Sequence, residues 1–442
     1  MGQNFIACDR EQSLLLPPDL REWLPAGHLA LFVVDAAAEL DLEPFYAAYR
    51  RDGRGRPAHD PAMMVALVLY AYAKGVRSSR EIERRCVEDV AFRVIAANQA
   101  PDHSTVARFL VRHERALAGL FGEVLALCAR AGLVSAGVIA LDSTKIAADA
   151  SGQANLGYGQ IARELIAQGI ATDKAEDELY GDARGDELPP ELADPKTRRE
   201  RLRAAKAELE AEWEAQREAH QQRLARRAEH QQRTGKRPPG RPPKERDLSG
   251  EPPGKANITD RDSRPVKTPR GFIQGYNAQA VATEAQIVIA AELTTGSADQ
   301  GQLEPMITAA RRQLAGAGAP GSPKVVIADA GYWNGKQIQD LMAQGITPLV
   351  PPDGHARGGP RDDRAGGLYQ HMRRILARDD GRELYRKRQT IIEPIFGQTK
   401  FNRRADRFRR RGLAACRAEW QLITATHNLL KLWRAATAPA AA

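Results

Sequence analysis

Cysteine is scarce in this sequence, and its few cysteines lie far apart. Four occur in 442 residues, at Cys8, Cys86, Cys128 and Cys416, and no two of them form a CxxC pair. Neither a zinc site nor a disulfide framework is therefore expected. Isolated thiols of this kind are typical of a reduced, cytosolic protein.

Long hydrophobic runs are missing as well. The longest, AMMVALVLYAYA from Ala62 to Ala73, is too short to cross a membrane and predicts a buried helix. The N-terminal text MGQNFIACDREQ has no basic stretch followed by an apolar one, so no secretion signal is expected. These features favour a cytoplasmic protein without a membrane partner.

Basic residues are in excess. The chain carries 65 Lys and Arg against 56 Asp and Glu, a formal net charge of +9. Such a charge suits a polyanionic partner, and nucleic acid is the commonest one. The length allows two or three domains with sizeable cores.

Residues 1–130 have the pattern of a helical domain. Pro61 is suited to the first turn of a helix that Gly75 ends. Ser78 and Ser79 are candidate caps for the helix that follows.

A turn, QAPDHST, separates this helix from a third one, which Ser104 or Thr105 could cap. Short helices joined by a capped turn resemble a helix-turn-helix reader of DNA. A helical domain with a solvated basic face is the equally acceptable alternative. The arginines on these helices that we expect to contact DNA are Arg84, Arg85, Arg108 and Arg112.

After an apolar run at residues 137–146, about 120 residues of different composition follow. The stretch from Lys196 to Arg233 predicts a long exposed helix of mixed charge. From Thr234 to Pro269 the chain is rich in Pro, Gly, Lys and Arg and is predicted to be flexible. Within it, GKRPPGRPPK is either a minor-groove hook or a plain linker.

Regular structure is predicted again from Gly271. Two strands form a hairpin turning near Glu284, and Asp299 is placed to cap the helix after them. Strand, helix, strand and C-terminal helices follow. This order predicts a mixed sheet covered by helices and matches the ribonuclease H-like order.

Three acids stand in settings suited to a metal site. Asp142 ends the apolar run VIAL, and Asp329 ends the run VVIA. Two parallel neighbouring strands would bring both carboxylates to one edge of the sheet. Glu393 lies in YRKRQTIIEPIFGQTK, where Pro394 places it at a helix start or beside a kink. Taken singly, each acid could equally be a turn former, a cap or a surface ion-pair partner.

Several blocks of the sequence resemble insertion-sequence transposases of the ribonuclease H-like DDE class. The resemblance is strongest to the group named after insertion sequence eleven-eighty-two, within the wider insertion sequence four superfamily. It rests on GRPAHDPAMMVALVLYAYAKG in the N-terminal part, and on LDSTKIAADAS, GFIQGYNAQAVAT, GSADQGQLEPM, IADAGYWNGKQI and RKRQTIIEPIFGQTKFNRRADRFRRRGL in the rest.

The resemblance implies that Asp142, Asp329 and Glu393 bind two Mg²⁺ or Mn²⁺ ions and catalyse DNA cleavage and strand transfer. It also implies roles for Tyr385, Arg388 and Lys400 in binding DNA. Tyr385 and Lys400 match the superfamily signature around the Glu. Arg388 lies one residue too far from Glu393, and Gln389 occupies the expected place.

The expected partners are the terminal inverted repeats of the element and its target DNA, bound by a homodimer in a bacterial nucleoid. The dense basic run after the Glu should contact phosphates. Its arginines are Arg403, Arg404, Arg407, Arg409 and Arg410.

The predicted domains are a DNA-binding domain (1–130) and a catalytic domain (131–151 and 270–435). The catalytic domain is interrupted by an insertion (152–269), and a disordered tail (436–442) follows it. Two other functions stay open: a related nuclease that does not rejoin DNA, and a non-catalytic DNA-binding remnant.

Overall fold

The computed structural model of this chain describes residues 20–49, 57–167, 198–238, 250–319, 321–353 and 367–438. Within them, a 3-10 turn (Leu20–Trp23) precedes the N-terminal helices. These are α1 (Leu29–Ala38), α2 (Glu43–Tyr46), α3 (Pro61–Ala73), α4 (Ser79–Glu88), α5 (Val90–Ile95), α6 (His103–Arg112) and α7 (Glu114–Arg130).

Strands and helices alternate in the remainder. The elements, apart from short 3-10 turns and a π-helical turn (Gln398–Asn402), are β1 (Val138–Ala147), β2 (Asn155–Gly157), α8 (residues 158–167), α9 (Arg198–Thr234), β3 (Lys255–Asn257), β4 (Arg264–Thr268), β5 (Gly271–Thr283), β6 (Val288–Thr294), α10 (Leu303–Gly316), β7 (Val325–Ala328), α11 (Gly335–Ala343), β8 (Thr347–Leu349), α12 (Gly367–Ala377), α13 (Asp379–Ile391), α14 (Glu393–Gly397) and α15 (Leu413–Thr437).

Helix α3 begins and ends as the sequence predicts. Pro61 occupies its first turn, and the Asp60 carboxylate accepts from the backbone N–H of Ala62 at 2.7 Å. Gly75 follows the helix with a φ of +77°, a left-handed conformation in which glycine is not penalised. Almost every side chain of α3 is buried, as expected for its uninterrupted apolar run.

The helices of the predicted reader are shorter than expected, and most of the predicted caps are wrong. Ser78 stands at the N-cap of α4 but makes no side-chain cap bond. Asp89, in extended conformation, divides the predicted second helix into α4 and α5. Helix α6 begins at His103, so Asp102 and not Ser104 or Thr105 is its N-cap, and the Asp102 carboxylate accepts from the N–H of Thr105 at 2.9 Å.

The main sheet is mixed, with β1 in its middle. Strand β1 pairs antiparallel with β5, with Ile139 opposite Thr283, and parallel with β7, with Leu141 opposite Ala328. Strands β4 and β6 pair with the two ends of β5, and β8 pairs parallel with β7. The order β6-β5-β1-β7-β8 confirms the predicted mixed sheet and its hairpin.

Strand β1 is longer than its apolar run. It continues past Asp142 to Ala147, because β5 supplies pairing partners along that whole length. Strand β7 stops at Ala328, so only the first part of β1 has a neighbour on each side. Asp142 therefore lies within the strand, at the point where the parallel pairing ends, and not at its end.

The insertion is more ordered than the sequence suggests. Helix α9 confirms the predicted long helix, but three of its side chains, Leu202, Ala205 and Leu209, are buried in a small second core with Ile161 and Ile258. Small β2 and β3 pair beside it. Most of the Pro-rich basic string lies outside the described residues.

The prediction of flexibility up to Pro269 is wrong for β3 and β4. Strand β4 pairs with β5 in the main sheet, so the sheet resumes at Arg264. The Asp260 carboxylate accepts from the Tyr276 hydroxyl at 2.7 Å and from the N–H of Gly412 at 3.1 Å. The last part of the predicted insertion is thus packed against the sheet and the start of α15.

One continuous hydrophobic core joins the N-terminal helices to the sheet. Helix α15 packs against α3 and α7 on one side and against β6 on the other. Residues 436 and 437 of the predicted tail belong to this helix, and residues 439–442 lie outside the described part. No helix in the described ranges is long and apolar enough to span a membrane.

Candidate active site

The register of two parallel strands brings the first two predicted acids together. Leu141 and Ala328 form the last pair of β1 and β7, and Asp142 and Asp329 come immediately after them. The N–H of Ser143 donates to an Asp142 carboxylate oxygen at 2.7 Å. The two carboxylates therefore lie side by side at the C-terminal edge of the paired strands, as predicted.

Glu393 joins these acids through an arginine. The Arg388 guanidinium donates from Nη1 to Asp142 Oδ2 at 2.7 Å and from Nη2 to Glu393 Oε1 at 3.0 Å. The Asp142 side chain is 15% exposed, whereas that of Glu393 is 48% exposed. Arg388 is thus a cation held between an inner and an outer carboxylate.

A break in the helix explains how Arg388 reaches Glu393. Residues five apart do not face each other on one continuous helix. Here α13 ends at Ile391, and Pro394 lies in the first turn of α14, which begins at Glu393. The break was predicted from Pro394, and it makes the one-residue offset of Arg388 compatible with contact to Glu393.

Burial and crowding of charge act on the inner acids. Desolvation raises the pKa of Asp142 to about 6, against the opposing effects of the Ser143 N–H and of Arg388. The negative charges of Asp329 and Asp299 raise it further. Desolvation also raises the pKa of Asp329. The cluster consequently holds more negative charge than its one bridging arginine compensates, which favours binding of further cations.

Asp299 is a member of this cluster that sequence reasoning missed. It was predicted to cap α10, but the N-cap of that helix is Gln302. One carboxylate oxygen of Asp299 instead accepts from Asn277 at 2.7 Å, from Gln279 at 2.9 Å and from Lys145 at 3.4 Å. The signal was available, because Asn277 and Gln279 are polar residues in an otherwise apolar strand, and both are fully buried.

Two more predicted residues lie at the same edge of the sheet. The Lys400 ammonium donates to the carbonyl oxygen of Lys145 on β1 at 2.7 Å, and its burial lowers the pKa of Lys400. Tyr385 is half-buried on α13, where desolvation raises its pKa and where the charges of Arg388 and Asp329 act on it. Tyr385 therefore lies near the acids, and Lys400 contacts the backbone of β1 three residues after Asp142.

The arginine-rich run after Lys400, residues 403–411, is called here the basic segment. The arginines of this segment that were predicted to contact DNA differ in exposure. The side chains of Arg404, Arg407 and Arg409 are exposed. Arg403 is buried, and its guanidinium donates to a carbonyl and a hydroxyl of α15 and to Thr399. The Arg403 guanidinium is therefore engaged inside the protein, unlike the three exposed arginines.

Arg410 and a buried ion pair attach the basic segment to the N-terminal helices. Arg410 pairs with Glu114 of α7 at 2.6 Å. Arg77, after α3, donates to Glu419 of α15 at 2.9 Å, and both side chains are almost fully buried. The same pair holds four backbone groups of the segment: Arg77 donates to the carbonyls of Arg404 and Arg407, and Glu419 accepts from the N–H groups of Arg409 and Arg410.

The arginines of the predicted reader lie on α4 and α6. Arg84, Arg108 and Arg112 are exposed. Arg84 and Arg85 face acids on their own helix, and the Arg112 guanidinium stacks over the Tyr49 ring at 5.1 Å. These side chains are accessible to solvent, and exposed ion pairs of this kind contribute little to stability.

The donor set at the acids fits divalent cations such as Mg²⁺. Carboxylate oxygens are hard ligands, and the carboxylates of Asp142, Asp329 and Glu393 are the side chains that would hold such ions. In this structure the Arg388 guanidinium pairs with Asp142 and Glu393. As they stand, no three acidic, histidine or cysteine side chains in the described part of the chain are close enough to hold an ion. The guanidinium between the carboxylates accounts for this spacing.

Comparison with known families agrees with this arrangement. Residues 253–429 match the family described as "Transposase DDE domain", and residues 18–112 match "Transposase domain (DUF772)". No curated protein and no solved structure matches the chain. The first match runs from β3 into α15 and includes Asp329 and Glu393, and the second covers the N-terminal helices up to α6. The chain therefore belongs to the DDE transposases of insertion sequences.

Proposed function

We propose that this transposase cleaves DNA at the ends of its insertion sequence and joins those ends to a target. Asp142, Asp329 and Glu393 would together hold two Mg²⁺ or Mn²⁺ ions. The observation that carries the proposal is the β1–β7 register, which sets Asp142 beside Asp329. The Arg388 guanidinium, which donates to both Asp142 and Glu393, brings the third acid to the same place.

Bound at these carboxylates, divalent ions would supply activation of the attacking oxygen and stabilisation of the leaving oxygen of a phosphodiester. The protein side chains would prepare the site for this. Arg388 has to release the oxygens of Asp142 and Glu393 that a cation needs. Once released, its planar guanidinium suits a phosphate of the bound strand. Lys400 and Tyr385 would then contact the same strand.

The N-terminal helices and the basic segment would bind the DNA. We assign residues 1–130 to recognition of the terminal inverted repeats, with Arg84, Arg85, Arg108 and Arg112 at the contact surface. The exposed arginines of the basic segment would contact the phosphates of the bound DNA, and Arg410 would hold the segment against α7. Joining two ends requires two active sites, so we expect a homodimer on DNA.

Isosteric amides of the three acids test the proposal. Asp142→Asn, Asp329→Asn and Glu393→Gln each keep the shape of the side chain and remove a charged ligand. With a labelled fragment carrying the repeats that flank the reading frame, cleavage should fall by orders of magnitude, because positioned metal ions supply most of the electrostatic stabilisation. Mn²⁺ affinity, measured by calorimetry, should fall in parallel, while DNA binding persists.

Asp149→Asn is the matched control. Asp149 pairs with Arg411 at 2.9 Å on an exposed surface, away from the cluster, so its amide should cleave normally. Calcium should support binding with little cleavage. Full activity in all three triad amides would contradict the proposal. Cleavage without joined products, in a reaction supplied with target DNA, would indicate a nuclease and not a strand-transfer enzyme.

A further inference from the structure

A polar groove lies between the N-terminal helices and the basic segment, away from the acids. It has a volume of about 340 Å³. Six of its eleven lining residues are cationic, and only Glu81 is acidic. The cations are Lys74, Arg77, Arg85, Arg403, Arg404 and Arg409. A groove with this charge attracts anions.

The walls of the groove are held rigidly together. Gly75 lies so close to the basic segment that an added Cβ would stand 2.8 Å from the carbonyl oxygen of Arg403. Arg77 and Glu419 fix the backbone of the segment from the other side. The cations of the two walls are therefore set at a fixed separation before any ligand arrives, which favours a defined ligand position.

Several of these positive charges have no acid partner. The buried Arg403 guanidinium is hydrogen-bonded only to neutral oxygens, and burial lowers its pKa to about 10. Among the described residues, the Nε of buried Arg77 has no hydrogen-bond partner, and neither Lys74 nor Arg409 is paired with an acid. A buried cation without a counter-charge is unfavourable in a low-dielectric interior, and a nearby anion relieves it.

The N-terminus of α4 opens into the same groove. Ser78, at its N-cap, lines the groove and makes no side-chain cap bond. The first-turn N–H groups and the helix dipole add to the positive potential of the arginines.

We propose that this groove binds one phosphate of the DNA backbone, contacted from the α3–α4 loop by Lys74 and from the basic segment by Arg409. The phosphate would lie between the part of the protein that reads the DNA end and the part that carries the acids. One bound strand would thereby be fixed relative to both. This inference rests on the proposed function, because it takes DNA as the ligand.

Substitution of one cation on each wall tests the groove. Lys74→Gln and Arg409→Gln are exposed changes, and Arg312→Gln on α10 is a matched exposed control outside the groove. DNA affinity of the full chain is measured by fluorescence anisotropy at several salt concentrations. Each groove variant should lose affinity about tenfold, as for one hydrogen bond to a charged group, and its salt dependence should become shallower. The control should match the wild type.

The double variant decides whether both side chains bind the same phosphate. If they do, it loses less than the product of the two single losses, because the second change removes a contact that is already disrupted. Unchanged affinity in the single variants, or full multiplication in the double variant, overturns the inference.

A small-anion site is distinguished by inorganic phosphate. Suppose that millimolar phosphate stabilises the wild type but neither groove variant, while both variants bind DNA as tightly as the wild type. That result would overturn the inference in favour of a site for a free anion. A wild type that binds no DNA at all would overturn the proposed function itself. If the wild type binds DNA and the groove variants bind it equally well, only the assignment of a phosphate to the groove is overturned.

Discussion

Glu419→Gln should weaken both the fold and DNA binding, because Glu419 neutralises Arg77 inside the protein. Their Nη1–Oε1 distance is 2.9 Å, and the side chains are 4% and 0% exposed. The amide keeps the size of the side chain but removes the charge. Arg77 is then left as a buried cation without a counter-charge, hydrogen-bonded only to neutral oxygens: the new amide oxygen and the carbonyls of Arg404 and Arg407.

The size of the effect follows from the burial. Removing one partner of a buried ion pair costs about 3–5 kcal/mol, and we expect the lower end, roughly 3 kcal/mol, because an acceptor oxygen remains. For 442 residues the unfolding entropy is roughly 0.9 kcal/mol per kelvin. If the described core unfolds as one unit, the thermal midpoint should fall by about 3 °C.

Calorimetric unfolding and DNA anisotropy check this prediction together. DNA affinity should fall at a temperature where the variant is still folded, since Glu419 also holds the N–H groups of Arg409 and Arg410. Glu284→Gln is the control, because its pair with Lys387 is exposed and contributes about 0–1 kcal/mol. A Glu419→Gln midpoint equal to that of the control, with normal DNA affinity, would refute the reasoning.

Three further results are expected. Gly75→Ala should lower the urea midpoint of unfolding more than Gly132→Ala. Both glycines have φ above +70°, which costs about 1–2 kcal/mol in alanine, but of the two only the Cβ at position 75 would meet a backbone carbonyl. Equal losses in the two variants would contradict this. Asp299→Asn should weaken Mn²⁺ binding about tenfold, the effect of weakening a charge-assisted hydrogen bond, whereas Asp149→Asn should not; equal affinities would place Asp299 outside the site. Burial lowers the pKa of His427 to about 3, below its usual 6.5, so the unfolded chain takes up this proton first as pH falls. The contribution of neutral His427 to the free energy of unfolding should therefore be fully present above pH 6.5 and should decline toward pH 3 by up to about 1.4 kcal/mol per pH unit. A His427→Gln variant with the same decline would exclude this residue as the cause.

The elements that the sequence predicts well are those whose signals are local. Buried β1 and β7 follow from the apolar runs before Asp142 and Asp329, and parallel pairing of two such runs brings the acids together whatever surrounds them. The start of α14 follows from Pro394, because proline restricts the backbone at its own position.

The features that the sequence does not predict depend on contacts between distant segments. Arg388 appears displaced when residues are counted along one helix, and its contact with Asp142 spans 246 positions. Asp299 has the local pattern of a cap, but the side chains of Asn277, Gln279 and Lys145 hold it beside the acids. Strand β4 is likewise formed because it pairs with β5. This pairing outweighs the Pro-rich composition of the chain around it, from which flexibility was predicted.

Arg388 links these observations to the way the site would be loaded. The negative charges of Asp142, Asp329 and Asp299 lie close together in a partly desolvated place, and Arg388 offsets part of the cost of holding them there. The same guanidinium is hydrogen-bonded to Asp142 and Glu393. If these carboxylates hold a divalent ion as proposed, metal binding would include the cost of displacing Arg388. A DNA phosphate gives the displaced arginine a new partner and lowers that cost. Metal and DNA are therefore expected to increase each other's affinity, and by linkage the increase is the same whichever binds first.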